Sequence, residues 1–338
     1  GGGGGGGGGG ENEDQRRSDI IQVLSDVLGE TEPQLGTDQH AALDFIVQTD
    51  KKYSTLSNPN KIRQRYSLAV FFFSTGGYTT WSTADNWLNE DLDECDGWEY
   101  ITCYEGNVTT DVSRLVIEDI HLEGSLPTEL AMLTVLDDFE IQGNEIFLDG
   151  SIPSFVYDMT QLKFLVLEYT GLKGALSSSL LRLSNLEWLS LNGNDFNGKI
   201  PRELPPKLEL LRLDNNGLED NLEEIINLSS TGTLPDLLIL SLASNKLEGS
   251  IPSTIGLATK LEVLNLDDND DISGIVPSEM GQLTALRKFS FEITSLSGKV
   301  PKEVCDLRPS PLEKLRCSEL SCTPDCCSVT DYCPSERM

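Results

Sequence analysis

The sequence predicts an α/β solenoid with short parallel strands on a concave face, a helical N-terminal cap and a disulfide-rich C-terminal cap. Three observations support this prediction: a leucine pattern that recurs about every 24 residues, prolines at matching spacing, and cysteines confined to the two ends of the chain. The predicted domains are 1–10, a polyglycine placeholder or leader; 11–111, a helical region with a Cys-containing cap; 112–304, about eight repeats; and 305–338, a partial repeat with a Cys-rich cap.

The N-terminal region carries apolar residues at helical spacing. The predicted helices lie at about 18–28, 38–49 and 60–74. Ser18, Asp38 and Asn60 are near the expected starts, because such side chains accept hydrogen bonds from the first free N–H groups of a helix. We expect these helices to cover the open end of the solenoid, and docking of a partner is the alternative.

The repeat is clearest in residues 186–201, where leucines at spacings of three and two are followed by Asn, Gly, Ile and Pro. Residues 237–252 reproduce this pattern, and 261–277 follow it closely. Looser copies begin at Val112, Leu136, Leu162, Leu208 and Leu286, and a partial ninth begins at Leu312. Such leucines point inward and are buried only against neighbouring coils, and the alternating segment predicts one strand per coil.

Two further columns predict how each coil turns. An asparagine follows the strand in five coils, where a buried amide can bond backbone groups that the turn leaves free. This column contains Asn144, Asn194, Asn216, Asn245 and Asn269. A glycine a few residues later permits the next turn. The stretch 219–235 lacks the Gly-x-Ile-Pro mark, which predicts an excursion on the side away from the strands.

These patterns resemble the plant-type leucine-rich repeat, which ends in G-x-I-P, over about residues 112–320. The stretch 75–103, with a tryptophan between two cysteines, looks like that family's N-terminal cap. Residues 42–50 and 63–70 are similar to leader segments of the large leucine-rich repeat family predicted from diatom genomes. The resemblance implies an extracellular or membrane-anchored recognition protein, although a fold alone does not establish a function.

The cysteine distribution favours disulfides over zinc. The eight cysteines are Cys95, Cys103, Cys305, Cys317, Cys322, Cys326, Cys327 and Cys333. An even number at the ends of a repeat array is typical of disulfides in an oxidising compartment. Zinc usually takes paired Cys arms or histidine, and His40 and His121 are the only histidines. The C-terminal pairing stays open, and Asn107 and Asn227 begin predicted glycosylation sequons.

The charge balance narrows the set of partners and locations. With 25 basic and 55 acidic residues, the net charge of −30 makes nucleic acid and anionic membranes poor partners. The longest apolar run, 68–73, is far shorter than the roughly 20 residues that span a bilayer. We predict a secreted, cell-surface or other oxidising location, and leave a membrane anchor upstream of the covered chain open.

The predicted binding site lies on the strands. The residue before the second leucine of each strand is apolar in five central coils, and a polar residue follows the strand in most. Together they predict a ligand-binding cluster of Phe164, Glu168, Tyr169, Trp188, Asn192, Arg212 and Asp214. Aromatics beside carboxylates and amides could hold a sugar or a peptide. The alternative is that the apolar column serves packing between neighbouring coils.

Catalysis and metal binding find little support. The acidic run 267–271 fails the EF-hand spacing and is interpreted as solvated turn acids rather than a calcium site. No phosphate loop or H-E-x-x-H motif is present, so we predict no enzyme activity, cofactor or metal. The predicted function is non-catalytic binding of a protein or glycan on the concave face. The alternative is a structural subunit of an extracellular or lumenal assembly that contacts neighbours through its N-terminal helices, and an enzyme inhibitor is less favoured.

Overall fold

The computed structural model describes residues 10–29, 31–50, 52, 55–84, 86–105, 110–143, 150–230, 234–307, 312 and 314–317. It divides into two compact units, Gly1–Phe139 with Ile146–Leu148, and Glu140–Glu145 with Asp149–Met338. Predictions for Asn107, Asn144 and the cysteines after Cys317 lie outside the described residues. In the described ranges, no helix combines the length and the apolar character needed to cross a bilayer.

The first unit is mainly helical. Its helices are α1 (Gly10–Val23), α2 (Ser25–Leu28), α3 (Asp38–Asp44), α4 (Pro59–Ser74), α5 (Gly77–Thr80) and α6 (Glu94–Gly97). A π-helical turn, Phe45–Thr49, continues α3. Strands β1 (Ile101–Glu105) and β2 (Thr110–Glu118) pair antiparallel, and β3 (Asp138–Gln142) begins at the end of this unit.

Helix starts differ from the sequence prediction by amounts that local chemistry explains. The Thr37 side chain caps α3 by accepting from His40 N, and Asn58 caps α4 by accepting from Lys61 N. α1 begins at Gly10 rather than near Ser18. Acidic residues precede Ser18 and suit the positive end of a helix dipole. The Arg16 guanidinium also donates to the Ile46 and Val47 carbonyls, which ties this part of α1 to the end of α3.

An aromatic cluster forms the core of this unit. Phe72 stacks on Trp87 with ring centroids 5.8 Å apart, and Trp81 meets Trp87 edge-on at 4.9 Å. The Trp81 indole donates to the Thr75 carbonyl at 2.8 Å, so its polar atom is satisfied inside the core. Of the predicted disulfide cysteines, Cys95 and Cys103 are confirmed, because they form a bond with each other.

A buried ionic cluster joins α4 to the segments around α6. Arg65 is fully buried and pairs with Asp50 and with Glu94, whose Oε2 lies 2.7 Å from Nη1. Its guanidinium also lies over the Trp98 ring, 4.5 Å from the centroid. The Lys61 ammonium lies 2.8 Å from a carboxylate oxygen of Glu94 and of Asp93. Burial raises the pKa of Asp93, but hydrogen bonds from Lys61 and from Cys95 N outweigh it and lower that pKa below its usual value.

The second unit consists of stacked coils. Its strands are β4 (Phe164–Glu168), β5 (Lys173–Ala175), β6 (Trp188–Ser190), β7 (Asp195–Gly198), β8 (Leu210–Arg212), β9 (Gly217–Leu218), β10 (Ile239–Ser241), β11 (Val263–Asn265), β12 (Asn269–Ile275), β13 (Lys288–Phe291), β14 (Thr294–Ser297) and β15 (Lys314–Cys317). The main sheet is parallel in the order β4-β6-β8-β10-β11-β13-β15. Smaller parallel sheets, β5-β7-β9 and β12-β14, follow the strands of the main sheet. Helices α7 (Leu222–Ser230) and α8 (Lys302–Cys305) complete the unit.

The asparagine column forms a ladder, as predicted. Asn194 Oδ1 accepts from the N–H groups of Thr170 and Leu172, and its Nδ2 donates to the Leu167 and Leu191 carbonyls. Asn216, Asn245 and Asn269 repeat this arrangement one coil at a time. Each amide therefore satisfies the backbone of two adjacent coils, including groups that no strand pairing reaches.

The irregular fifth repeat contains a helix. Other coils carry a short 3₁₀ turn after the proline, such as Ser154–Asp158 and Ser253–Leu257, whereas the excursion contains α7. Asn227 lies within this helix, half-buried, and its Oδ1 accepts from Thr254 Oγ1 at 2.8 Å. Glycosylation at Asn227 stays a prediction.

Candidate ligand-binding face

The outward side chains of the main sheet in the second unit form what we call the sheet face. Strand register places the predicted apolar column in one row, because each member pairs with the next across adjacent strands. The row runs Phe164, Trp188, Leu210, Ile239, Val263, Lys288 and Lys314. The row is therefore apolar over five strands and basic at its end.

Exposure within this row is uneven. The Phe164 and Trp188 rings meet nearly edge-on, with centroids 5.2 Å apart and an interplanar angle of 74°. Trp188 remains 42% exposed, whereas its neighbour Leu210 is 5% exposed. Packing between coils accounts for Leu210 but leaves much of the indole uncovered. A large, rigid and exposed aromatic is the kind of side chain that anchors an interface.

Tyr169 is a second exposed aromatic, directly after β4, and neighbouring atoms fix the position of its ring. It has a positive φ of 54° and donates its N–H to the Asn192 carbonyl at 2.9 Å. A Cβ at Gly193 would come within 2.2 Å of Tyr169 Cδ1, so only glycine leaves room for the ring. Tyr169 is 46% exposed, and its ring rests on the backbone of the next coil.

The predicted carboxylates and amide are largely engaged in holding neighbouring coils together. Ser190 Oγ and Asn192 Nδ2 both donate to Glu168 Oε1. Asp214 Oδ1 accepts from Ser241 Oγ at 2.6 Å and from a backbone N–H at 2.8 Å. The serines within the strands were the signal that sequence reasoning missed, because each donates to the acid of the preceding coil.

Arg212 differs from these groups. It lies in the strand position of Ser190 and Ser241, and it is exposed. Within the part of the chain that the structure describes, its guanidinium makes no ion pair or side-chain hydrogen bond. The predicted cluster therefore contains three aromatics and one uncommitted cation on a frame of acids that are already hydrogen-bonded.

In the acidic run after β11, one carboxylate is hydrogen-bonded to the next coil and the others are exposed. Asp267 accepts from Ser290 Oγ and from Glu292 N, each at 2.6 Å, so it is a cross-coil acceptor rather than a solvated acid. Asp268, Asp270 and Asp271 are exposed, as predicted for turn acids.

The metal-like group found among the described residues is Asp93, Glu94 and Cys95 in the first unit. Cys95 is bonded to Cys103 and offers no thiolate, and Lys61 already pairs with both carboxylates. This group therefore carries no argument for a metal site.

Glu292 gives the sheet face a pH-dependent contribution to stability. Burial and the Asp267 carboxylate raise the pKa of Glu292 above its usual 4.5, with Arg316 opposing them. Because the folded state binds this proton more tightly than the unfolded chain, the stabilisation is complete below pH 4.5 and is lost as the pH rises through the folded-state pKa. We therefore expect the stability of Glu292→Gln relative to wild type to increase from about pH 4 to about pH 7 in urea unfolding. A constant difference, or one equal to that of the exposed control Glu203→Gln, would contradict this.

Comparisons with known proteins agree with this architecture. The family model described as Leucine Rich Repeat matches residues 185–206. Receptor-like protein 6 from Arabidopsis thaliana is 26% identical over 239 residues, which cover 68% of this chain and 23% of that relative. The chain thus spans about a quarter of the length of this curated relative.

Two solved structures from Arabidopsis thaliana are also similar. The LRR ectodomain of the membrane receptor kinase GASSHO1/SCHENGEN3, in complex with CASPARIAN STRIP INTEGRITY FACTOR 2, has a TM-score of 0.59 and 25% identity, covering 75% of this chain and 32% of that one. The receptor kinase HAESA ectodomain, in complex with an N-terminally extended IDA peptide hormone ligand, has a TM-score of 0.56 and 25% identity, covering 70% and 42%.

The fold is a leucine-rich repeat solenoid, and it is similar to the LRR ectodomains of these two plant receptor kinases. The similarity to diatom proteins stays a prediction.

Proposed function

We propose that this chain is a non-catalytic, secreted or cell-surface recognition module that binds a peptide or an extended protein segment on the sheet face. The observation that supports the proposal is the contact between half-buried Phe164 and exposed Trp188, on the same sheet face as the uncommitted Arg212. The aromatic rings offer an apolar anchor site, and the guanidinium offers donors to a carboxylate or backbone carbonyl. The similar HAESA ectodomain, which was solved with a peptide hormone, supports the same class of ligand.

A peptide fits this face better than a glycan. Sugars are recognised through many hydrogen bonds to hydroxyl groups, which need free carboxylates and amides beside an aromatic ring. Glu168, Asn192 and Asp214 are already hydrogen-bonded to neighbouring coils. The exposed groups that remain are mostly aromatic, and these suit apolar side chains.

We expect Trp188→Ala to weaken peptide binding at least about 30-fold, the loss typical of an interface hot spot. Peptides would be selected from a random display library on the full wild-type chain, and their dissociation constants then measured for the wild type and the variant. Leu257→Ala is the matched control, because Leu257 is 62% exposed on a different part of the same unit and should leave affinity unchanged. Failure to enrich peptides, or equal binding by Trp188→Ala, would overturn the proposal.

The structural-subunit alternative makes a different expectation. It requires self-association or assembly into a larger complex. Substitutions in residues 11–75 would weaken this association, and substitution of Trp188 would leave it unchanged. Cross-linking mass spectrometry on natural material separates the two functions. Links from the sheet face to a different molecule would support recognition, and links between copies or through the N-terminal helices would support assembly.

A further inference from the structure

The first unit contains a cavity of about 380 Å³ that lies outside the predicted site. Residues of α2, the first turns of α4, the start of β2 and the segment Ala131–Val135 line it. Its volume falls in the range of roughly 300–1,000 Å³ that small-molecule sites occupy. All of these elements belong to the same compact unit, so the cavity is a feature of that unit alone.

Part of the wall is apolar. Val112 is fully buried and Leu133 is 4% exposed. Val27 and Val135 also line the cavity but remain 40% and 38% exposed, so the fold itself leaves them uncovered. This combination of buried and uncovered aliphatic groups suits a small branched apolar side chain.

Some polar groups of the cavity are already hydrogen-bonded, and others have atoms without a hydrogen-bond partner. Gln64 is committed, because its Oε1 accepts from Val112 N at 2.7 Å and its Nε2 donates to Glu94. Arg63 is not fully satisfied: its Nη2 lies 3.6 Å from Asp26 Oδ1, and its Nε is buried without a hydrogen-bond partner. The half-buried Asp111 carboxylate makes no ion pair or hydrogen bond to any residue that the structure describes.

The charges of these groups limit the ligand class. A simple anion would be repelled by Asp26 and Asp111 and by a chain whose net charge is −30. A simple cation would pair with Asp111 but leave the Arg63 donor unsatisfied. A ligand that carries both an ammonium group and a nearby carbonyl or carboxylate oxygen satisfies both residues.

We propose that this cavity binds an apolar α-amino-acid unit, supplied either as the free amino acid or as the amino terminus of a peptide. Its ammonium group pairs with Asp111, its carbonyl oxygen accepts from a reoriented Arg63 guanidinium, and its side chain packs on the uncovered Val27 and Val135. This site is separate from the sheet face and does not depend on the peptide-binding function proposed there.

Isothermal titration of the full chain with L-leucinamide tests the proposal, because this probe carries the ammonium, the carbonyl and a branched side chain. We expect saturable binding that is lost with N-acetyl-L-leucinamide, which lacks the charge, and with glycinamide, which lacks the side chain. L-leucine and the peptide Leu-Gly-Gly then distinguish the two sources, since the tighter of the two identifies the physiological form. Absence of saturable leucinamide binding, or equal binding of the acetylated probe, would overturn the proposal.

Variants locate the binding to this cavity. Asp111→Asn keeps the shape but removes the charge, and it should weaken leucinamide binding at least about tenfold, as expected for a charge-assisted hydrogen bond. Val135→Trp should block binding by filling the cavity, without touching either charged group. Asp195→Asn, an exposed acid in the second unit, is the matched control and should bind as wild type does. Thermal melting verifies that each variant is folded, and full binding by a folded Asp111→Asn or Val135→Trp would place the ligand elsewhere.

Discussion

Replacing Arg65 with methionine is expected to lower the free energy of unfolding of the first unit by about 3–5 kcal/mol. Arg65, Asp50 and Glu94 are all fully buried, and the guanidinium is paired with both carboxylates. Methionine removes the positive charge but leaves two buried acids, which is more costly than losing an exposed ion pair. Urea unfolding followed by the fluorescence of the tryptophans packed around α4 measures the change.

Arg182→Met, followed through the fluorescence of Trp188 in the second unit, is the control for an exposed ion pair. Arg182 pairs with Asp158, but both side chains are more than half exposed, so the loss should be no more than about 1 kcal/mol. A second variant separates charge from packing: adding Asp50→Leu to Arg65→Met removes one of the two buried acids, while Glu94 keeps Lys61 at 2.8 Å, and should recover part of the stability. If Arg65→Met costs no more than the control, the cluster does not stabilise the unit.

The second large effect is expected for Asn194→Ala, which should destabilise the second unit by about 3–5 kcal/mol. Asn194 is 6% exposed, and its amide satisfies backbone groups of two coils. Alanine leaves the Thr170 and Leu172 N–H groups without an acceptor, and each unsatisfied buried group costs about 1–3 kcal/mol. Since Trp188 is the tryptophan of this unit, its fluorescence follows the transition.

Asn185→Ala provides the comparison, because Asn185 is only half-buried and its hydrogen bonds lie at the surface. We expect a change within about 0.5 kcal/mol for this variant. Equal effects of the two substitutions would mean that the ladder amides contribute no more than surface asparagines do.

Repeated local chemistry made much of the second unit predictable. The leucine and asparagine columns predicted the parallel strands and the amide ladder, because each coil has similar length and the same side chains recur in register. The aromatic pair of Phe164 and Trp188 was predicted for the same reason. α7 was predicted only as an excursion, since without the repeat pattern nothing specified the shape of that segment.

The sequence by itself determined the class of fold and the row of strand residues. Only the tertiary structure decided which polar groups are available, because hydrogen bonds between coils engage Glu168 and Asp214 but not Arg212. The cavity beside Arg63 and Asp111 likewise depended on how helices, a strand and a turn distant in sequence pack together. The repeat pattern predicts which side chains face outward. It does not predict which groups a charged side chain will contact, because those contacts depend on distances in the folded structure.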